Sequence, residues 1–191
     1  PKSDIDLLIL IDDQTDIPKE KIEAFITFLW DINLDVGHSV RTISECAEIA
    51  QSDVTIITNL IEARTLCGSP EPLNELNRRI DNEHMWDGHS FYKAKLEEQK
   101  QRHAKYQNTA YNLEPNLKEC PGGLRDMQVI DWVAKRHLHT SRFSELVEKD
   151  FLSEDEYVQL KGAVGHLWRI RWALHMIAGR KEDRLLFDHQ R

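Results

Sequence analysis

The sequence predicts an α+β protein that is mostly helical. Two short segments with strand character lie within the first 42 residues, and strand signals vanish from Pro70 onward. Over the rest of the chain, apolar residues recur at three- and four-residue steps, which is typical of helices that pack into a bundle. We therefore expect two domains, residues 1–85 with the strands and residues 86–191 with helices alone.

The first part of the chain is predicted to contain both strands and helices. Residues 4–11 indicate a buried strand, because the run is apolar on both faces. Pro18 suits the first turn of a helix, and residues 34–42 show the alternation of a second strand. A short helix follows that strand, and a longer one is expected over 53–67, ending at Gly68.

The second part is predicted to contain helices only. The spacing of apolar residues gives their ranges as 72–83, 90–107, 124–137, 143–149 and 154–178. The last helix has the apolar stripe of a bundle helix, on which Trp168 and Trp172 are interpreted as core residues. An irregular stretch, rich in Asn, Pro and Gly, lies between the second and third of these helices.

Composition and charge restrict the class of function. The chain has 33 acidic and 25 basic residues, for a net charge of −8. This balance counts against non-specific binding to nucleic acid, which needs basic patches. No apolar run approaches the roughly 20 residues of a membrane-spanning helix, so no membrane partner is expected. Three widely spaced cysteines form no C-x-x-C pair, which favours a reducing, cytoplasmic location.

A pair of carboxylates opens the first predicted strand. Residues two apart in a strand point the same way, so Asp4 and Asp6 project from one face. A divalent cation would offset their repulsion, and Mg²⁺ binds carboxylate and phosphate oxygens together. Asp35 opens the second strand, and neighbouring strands lie about 5 Å apart, so Asp35 can join the same cation cluster if the two strands pair in register. The alternative is that Asp4 caps a turn and Asp6 is a solvated residue at a strand end.

Three such carboxylates are suited to an in-line displacement at phosphorus with two metal ions. One Mg²⁺ lowers the pKa of the attacking group, and the other neutralises charge on the triphosphate and the leaving pyrophosphate. Asp4, Asp6 and Asp35 are therefore candidates for the catalytic and metal-binding residues of a phosphoryl-transfer reaction.

Several motifs resemble those of one family. The segment Ser3-Asp4-Ile5-Asp6 resembles the S-D-I-D-L-L strand of DNA polymerase β-like nucleotidyltransferases. Five further segments are similar to the bifunctional uridylyltransferase/uridylyl-removing enzyme of bacterial nitrogen control: L-D-V-G-H-S-V-R-T from Leu34, Y-N-L-E-P-N-L-K from Tyr111, P-G-G-L-R-D from Pro121, L-W-R-I-R from Leu167 and R-L-L-F-D from Arg184. The similarity spans essentially the whole chain.

The resemblance implies both a fold and an activity. The fold would be a small mixed sheet flanked by helices, a nucleotidyltransferase core, followed by a helical domain. The activity would be the transfer of UMP from UTP to a tyrosine of the PII signal protein. Asp4 and Asp6 match the family's metal-binding pair, Asp35 falls where its third carboxylate is expected, and Ser3 is expected at the substrate.

Three parts of the family's pattern do not occur in this sequence. The family has a Gly-rich turn that holds the triphosphate before the first strand, a His-Asp dyad for the uridylyl-removing reaction, and glutamine-sensing ACT domains. The sequence begins at Pro1, where that turn would already have ended, and it contains no His-Asp dipeptide. We expect these residues to represent the transferase region alone, which in one interpretation is inactive by itself.

A second candidate site lies in a loop that runs into a predicted helix. Lys118, Gly122, Gly123 and Arg125 are predicted to bind substrate, because glycines permit close backbone approach and the two cations can meet phosphate oxygens. The alternative is a helix-entry turn in which Arg125 pairs with Asp126.

Further polar residues have structural interpretations. Lys95, Gln99 and Arg102 share one helical face, interpreted as solvated, although it could reach a triphosphate. The nine histidines show no H-E-x-x-H pattern and are interpreted as surface or satisfied core residues.

Two other functions stay open. The first is the adenylyltransferase of glutamine synthetase, which would use ATP on the same scaffold. The L-D-V-G-H-S segment favours the uridylyl family, but no residue identifies the base. The second is a non-catalytic regulatory or docking fragment, for which the acidic balance and the long helical part are the reasons.

Overall fold

The chain divides into two compact units that meet in sequence between Met85 and Trp86. The structure is a computed structural model that describes residues 5–12, 19–81, 83–138 and 142–190. No helix in these ranges is long and apolar enough to cross a membrane.

The first unit is built on a pair of parallel strands. Its elements are β1 (Ile5–Ile11), α1 (Lys19–Asp31), β2 (Val36–Thr42), α2 (Ile43–Ser52), α3 (Val54–Ile61) and α4 (Glu71–Arg79). Ile5 lies opposite Val36, and Ile11 lies opposite Thr42. A parallel pair needs a crossover connection, and α1 provides it. Both strands therefore begin at the same end of the sheet.

The change from strand to helix after β2 follows from local capping. Thr42 ends β2 and is the N-cap of α2. Its Oγ1 accepts a hydrogen bond from the Glu45 amide at 3.2 Å, and the Thr42 amide donates to Glu45 Oε2 at 2.8 Å. This capping box satisfies two amides that a helix start would otherwise leave unpaired. Behind it, Cys46 and Ala50 are fully buried in the core.

The second unit is helical. Its elements are α5 (Gly88–Ala104), α6 (Leu124–Leu138), α7 (Glu145–Glu148), α8 (Glu154–Ala178) and a 3₁₀ turn (Phe187–His189). Helix α6 packs against both α5 and α8. Phe91, Leu124, Trp132 and Leu174 are buried in this core. The predicted mostly helical chain with a small sheet is thus confirmed.

Some expected features differ from the structure. The two described strands are parallel, so the antiparallel member of a mixed sheet does not occur in the described ranges. The helix predicted over 53–67 is wrong in length, because α3 ends at Ile61. The Glu62 amide donates to Asn59 O at 3.2 Å, a tightened last turn that closes the helix. Gly68 instead has φ +87° in a separate turn.

The two tryptophans of α8 are exposed, so their interpretation as core residues is wrong. Trp168 is 44% exposed and Trp172 is 54% exposed, whereas Leu174 is 2% exposed. A helix turns by about 100° per residue, which places Trp172 about 160° away from Leu174. The apolar residues of α8 are therefore not confined to the face that packs inside its own unit.

Candidate functional site

Asp6 and Asp35 lie at the same end of the sheet and on the same face. The Ile5 amide donates to Asp35 O at 2.8 Å, and Asp6 is paired with Gly37 across the ladder. Paired residues of neighbouring strands share a face, and so do residues two apart in one strand. Asp35 stands two residues before Gly37, so its side chain projects on the side of Asp6. The parallel register thus places two of the predicted carboxylates on one face at one end of the sheet.

Gly37 leaves space beside the Asp6 carboxylate. A Cβ atom at this position would lie 3.3 Å from Asp6 Oδ1. Asp6 and Asp35 are both exposed, and neither has an ion-pair partner within the described residues. Carboxylate oxygens next to open space are a donor set that suits a hard divalent cation.

The full carboxylate cluster stays a prediction. Ser3 and Asp4 lie outside the residues that the structure describes. Among those that it does describe, no three His, Cys, Asp or Glu side chains form a group that could hold a metal ion.

The loop from Lys118 to Arg125 uses its own amides to hold its shape. The Gly123 amide donates to Cys120 O at 2.8 Å, and the Arg125 amide donates to Lys118 O at 2.8 Å. The Gly122 amide donates to a carboxylate oxygen of Asp126, also at 2.8 Å. Loop geometry thus accounts for both glycines, and their role in substrate binding stays a prediction.

Gly123 should tolerate substitution less well than Gly122. A Cβ at Gly123 would lie 2.8 Å from Lys118 O and 2.9 Å from Cys120 O, both backbone atoms. At Gly122 the space is open and only φ +78° is unfavourable. We expect Gly123→Ala to cost about 3 kcal/mol and Gly122→Ala to cost about 1 kcal/mol. Thermal unfolding of the two variants measures these losses of stability. An equal loss in both would contradict the predicted clash between a Cβ at Gly123 and the backbone.

The side chains of Lys118 and Arg125 lie on either side of Glu119. Glu119 Oε1 is 3.9 Å from Lys118 Nζ and 3.6 Å from Arg125 Nε. Burial, followed by the positive charge of Arg125, lowers the pKa of Lys118, while Glu119 opposes this shift. One carboxylate therefore serves these two cations, which repel each other, while its other oxygen lies 3.8 Å from Arg102 Nε. An anion placed near them would reduce that repulsion.

Asp126 is the centre of a buried cluster and does not pair with Arg125, so the Arg125–Asp126 pair of the alternative interpretation is wrong. Asp126 Oδ1 accepts hydrogen bonds from Arg102 at 2.8 Å and from Gln99 at 2.9 Å. His103 Nε2 lies 2.9 Å from the same oxygen. Oδ2 accepts the bond from the Gly122 amide. The carboxylate thus ties α5, α6 and the loop together.

The polar face of α5 is buried, so its interpretation as a solvated face is wrong. Lys95 is 2% exposed and Arg102 is 7% exposed. Lys95 Nζ lies 4.5 Å from the centroid of the Trp132 ring and forms an ion pair with Glu98. The Arg125 guanidinium lies 5.3 Å from the same ring, a second cation–π contact. Trp132 itself is buried.

The ionised form of Asp126 is favoured despite its burial. Burial raises the pKa of this carboxyl, but the hydrogen bonds from its partners outweigh that effect. Those partners are Gln99, Arg102, the Gly122 amide and His103. The net result is a pKa below the ordinary value for Asp, so Asp126 is an anionic anchor for the loop.

A second carboxylate, that of the half-buried Asp183, holds the loop from its other end. Asp183 Oδ1 accepts a hydrogen bond from Arg171 at 2.6 Å and lies 3.0 Å from His175 Nε2. Asp183 O accepts a bond from the Leu117 amide at 2.7 Å. His175 is 1% exposed, so it is a core histidine rather than a surface one. The segment just before Lys118 is thereby fixed to α8.

The sequence assigned Asp126 no role except as a possible partner of Arg125, and it assigned no role to Asp183. The available signal was the run of Lys, Gln and Arg on one face of α5, since such a stripe needs acidic partners if it is buried. Only the packing of α5 against α6 shows where those partners are.

Comparison with known proteins gives consistent results over the whole chain. A profile of the family described as GlnD PII-uridylyltransferase matches residues 90–191. The chain is 52% identical to a bifunctional uridylyltransferase/uridylyl-removing enzyme of Idiomarina loihiensis, 55% identical to one of Ectopseudomonas mendocina and 54% identical to one of Pseudomonas entomophila. Each alignment covers all of this chain and 21–22% of the relative. The chain therefore spans about a fifth of the length of these relatives. No solved structure matches it.

Proposed function

We propose, because this chain belongs to the GlnD PII-uridylyltransferase family, that the protein containing it transfers UMP from UTP to a tyrosine of a PII signal protein. The observation that carries the proposal is 52–55% identity, over the entire chain, to enzymes named as uridylyltransferases. The names of those enzymes favour the uridylyl reaction over the adenylylation of glutamine synthetase.

The first unit supplies carboxylates suited to a Mg²⁺-dependent reaction. Asp6 and Asp35 occupy diagonal positions on adjacent strands, which strand geometry places about 8 Å apart. Their side chains can therefore approach a common ligand on the shared face. Bound Mg²⁺ would supply positive charge for the triphosphate. Asp4, two residues before Asp6, is proposed as the third carboxylate.

The chemical step that we propose is an in-line displacement at the α-phosphorus of UTP. The phenol oxygen of the acceptor tyrosine forms a bond to that phosphorus, and the bond to pyrophosphate breaks. Asp35, exposed at the sheet end, accepts the proton of the phenol. Asp6 helps to hold the triphosphate through the cation.

Lys118 and Arg125 are the proposed anion-binding pair of the second unit. Their shared partner Glu119 neutralises only one of the two positive charges. A phosphate group would provide the second negative charge, with Arg able to donate two parallel hydrogen bonds. Ser3, Gly122 and Gly123 are proposed as further contacts of the substrate.

Labelled nucleotide tests the proposed reaction. The full-length protein is incubated with a PII protein and with UTP labelled at the α-phosphorus. We expect label on a PII tyrosine, loss of labelling when the divalent cation is chelated, and recovery when Mg²⁺ is added. Equal labelling from ATP, or labelling of glutamine synthetase rather than PII, would replace the proposal with the adenylyltransferase alternative.

A further inference from the structure

A cleft of about 710 Å³ opens in the second unit. It lies among the residues that follow α5, the segment 111–116 and the C-terminal residues 184–187. Its volume lies within the range of small-molecule sites in proteins. None of its lining residues has a role in the function proposed above.

Aromatic rings line the cleft, and one of them has no packing role. Tyr106, Tyr111 and Phe187 all contribute to its surface. Tyr111 is 95% exposed and Phe187 is 55% exposed. A ring as exposed as that of Tyr111 contributes little to the folded core. Proteins commonly bind nucleobases by stacking them on aromatic rings, and all the bases can stack because each has a flat π-face.

The cleft is positive although the chain as a whole is negative. Among the residues that the structure describes, Lys105 and Arg184 line it together with one carboxylate, that of Glu114. Glu114 Oε2 lies 3.1 Å from Arg184 NH2, and Glu114 Oε1 accepts the Phe187 amide at 3.0 Å. The carboxylate is thus already neutralised. Lys105 has no carboxylate partner in the described ranges, so an anionic ligand is favoured.

Two amide side chains offer one donor and one acceptor. Asn116 Oδ1 accepts the amides of Lys118 at 3.0 Å and Glu119 at 2.8 Å. This identifies the oxygen and leaves Asn116 Nδ2 as a donor. Asn112 Nδ2 donates to Thr109 O at 3.3 Å, which leaves its Oδ1 as an acceptor. Every nucleobase has a hydrogen-bonding edge that presents both donor and acceptor groups.

The cleft adjoins the loop that carries the proposed anion-binding pair. Asn116 lines the cleft and holds the Lys118 amide. Tyr106, which lines the cleft, and Lys118 also share Glu119 as a neighbouring charge. Burial, followed by the charge of Glu119, raises the pKa of Tyr106, and the same Glu119 acts on Lys118.

We propose that this cleft binds the base and ribose of a nucleoside phosphate. The ring of Tyr111 stacks on the base, Asn112 and Asn116 bond to its edge, and the phosphates extend toward Lys118 and Arg125. The identity of the nucleotide as UTP and the phosphate-binding role of Lys118 and Arg125 rest on the proposed function.

Equilibrium dialysis with the full-length protein, in the absence of PII, tests this site. The probes are UTP, UMP and inorganic triphosphate. We expect Tyr111→Ala to weaken binding of UTP and UMP about tenfold through loss of stacking, and Tyr111→Phe to restore it. Binding of triphosphate, which has no base, should not change. Tyr92→Ala is the matched control, because Tyr92 is 48% exposed on α5 and does not line the cleft.

Unchanged UTP binding by Tyr111→Ala would overturn the proposal. If the same variant also had a raised KM for PII, the cleft would be a docking surface for the protein substrate. The two proposals can fail separately. If PII is labelled but Tyr111→Ala binds UTP normally, the cleft assignment fails and the reaction stands. If PII is not labelled but UTP binding depends on Tyr111, the reaction fails and the cleft stands.

Discussion

Asp6→Asn in the full-length protein should reduce transfer of UMP to PII by about a thousandfold, because phosphoryl transfer depends almost entirely on positioning and charge. Asn keeps the size of the side chain and removes the negative charge that the divalent cation requires. The fold should be unaffected, since Asp6 is exposed and has no ion-pair partner in the described ranges. Initial rates with labelled UTP measure the effect.

A matched control separates the site from general loss of negative charge. Asp31 is an exposed carboxylate at the end of α1 in the same unit. Asp31→Asn should leave the rate of transfer unchanged, whereas Asp35→Asn should reproduce the loss seen with Asp6→Asn. Transfer at a near wild-type rate in Asp6→Asn or Asp35→Asn would remove that residue from the proposed site.

Asp126→Ala should destabilise the second unit by about 3–5 kcal/mol, the cost of breaking a buried ion pair. The buried Arg102 guanidinium would lose its nearest carboxylate oxygen, at 2.8 Å. The Gly122 amide would lose its acceptor, so the loop should open together with the contact between α5 and α6. Hydrogen exchange of the α5 and α6 amides in the full-length protein measures the change in local stability.

The control for this change lies on the same helix. Asp131 lies on a more exposed part of α6 and pairs with Lys135, one helical turn further along, at 2.8 Å. Surface pairs of this kind contribute about 0.5 kcal/mol, so Asp131→Ala should have a small effect. Equal losses in the two variants would show that Asp126 is not the anchor of the loop.

The same anchor should make the second unit sensitive to acid. The pKa values of Asp126 and Asp183 are both lowered, in each case because hydrogen bonds outweigh the opposing effect of burial. A carboxyl with a lowered folded-state pKa stabilises the fold fully above its unfolded pKa, and the contribution is lost as pH falls through the folded value. Protection of the α5 and α6 amides against hydrogen exchange should therefore decrease as the pH falls below the ordinary pKa of Asp. The decrease should be less steep in Asp126→Ala, which lacks one of the two carboxylates.

Motifs and local periodicity predicted the family and most of the elements. The family resemblance is confirmed by identity over the whole chain. The helix predicted over 154–178 matches α8 residue for residue, because a serine N-cap with a capping box begins it and Gly179, at φ +64°, ends it. Such signals act within a few residues of the helix end, so they are legible in sequence.

Other features depended on contacts between distant residues. Periodicity showed that Lys95, Gln99 and Arg102 share a face of α5, but it could not show that α6 covers that face. It likewise predicted a helix containing Trp168 and Trp172 without showing that the packed side of α8 points elsewhere. Which faces meet depends on the packing of whole helices.

The sequence by itself determined the family, the mostly helical fold and the carboxylates that open each strand. Those features are carried by local patterns and by motifs. Only the tertiary structure decided that Asp6 and Asp35 share a sheet face, since this requires the parallel register of β1 with β2. Only packing, too, decided that Asp126 binds Arg102, 24 residues away in sequence, rather than its neighbour Arg125. A buried carboxylate is stabilised by the donors that the fold brings to it, and chain proximity does not determine which donors those are.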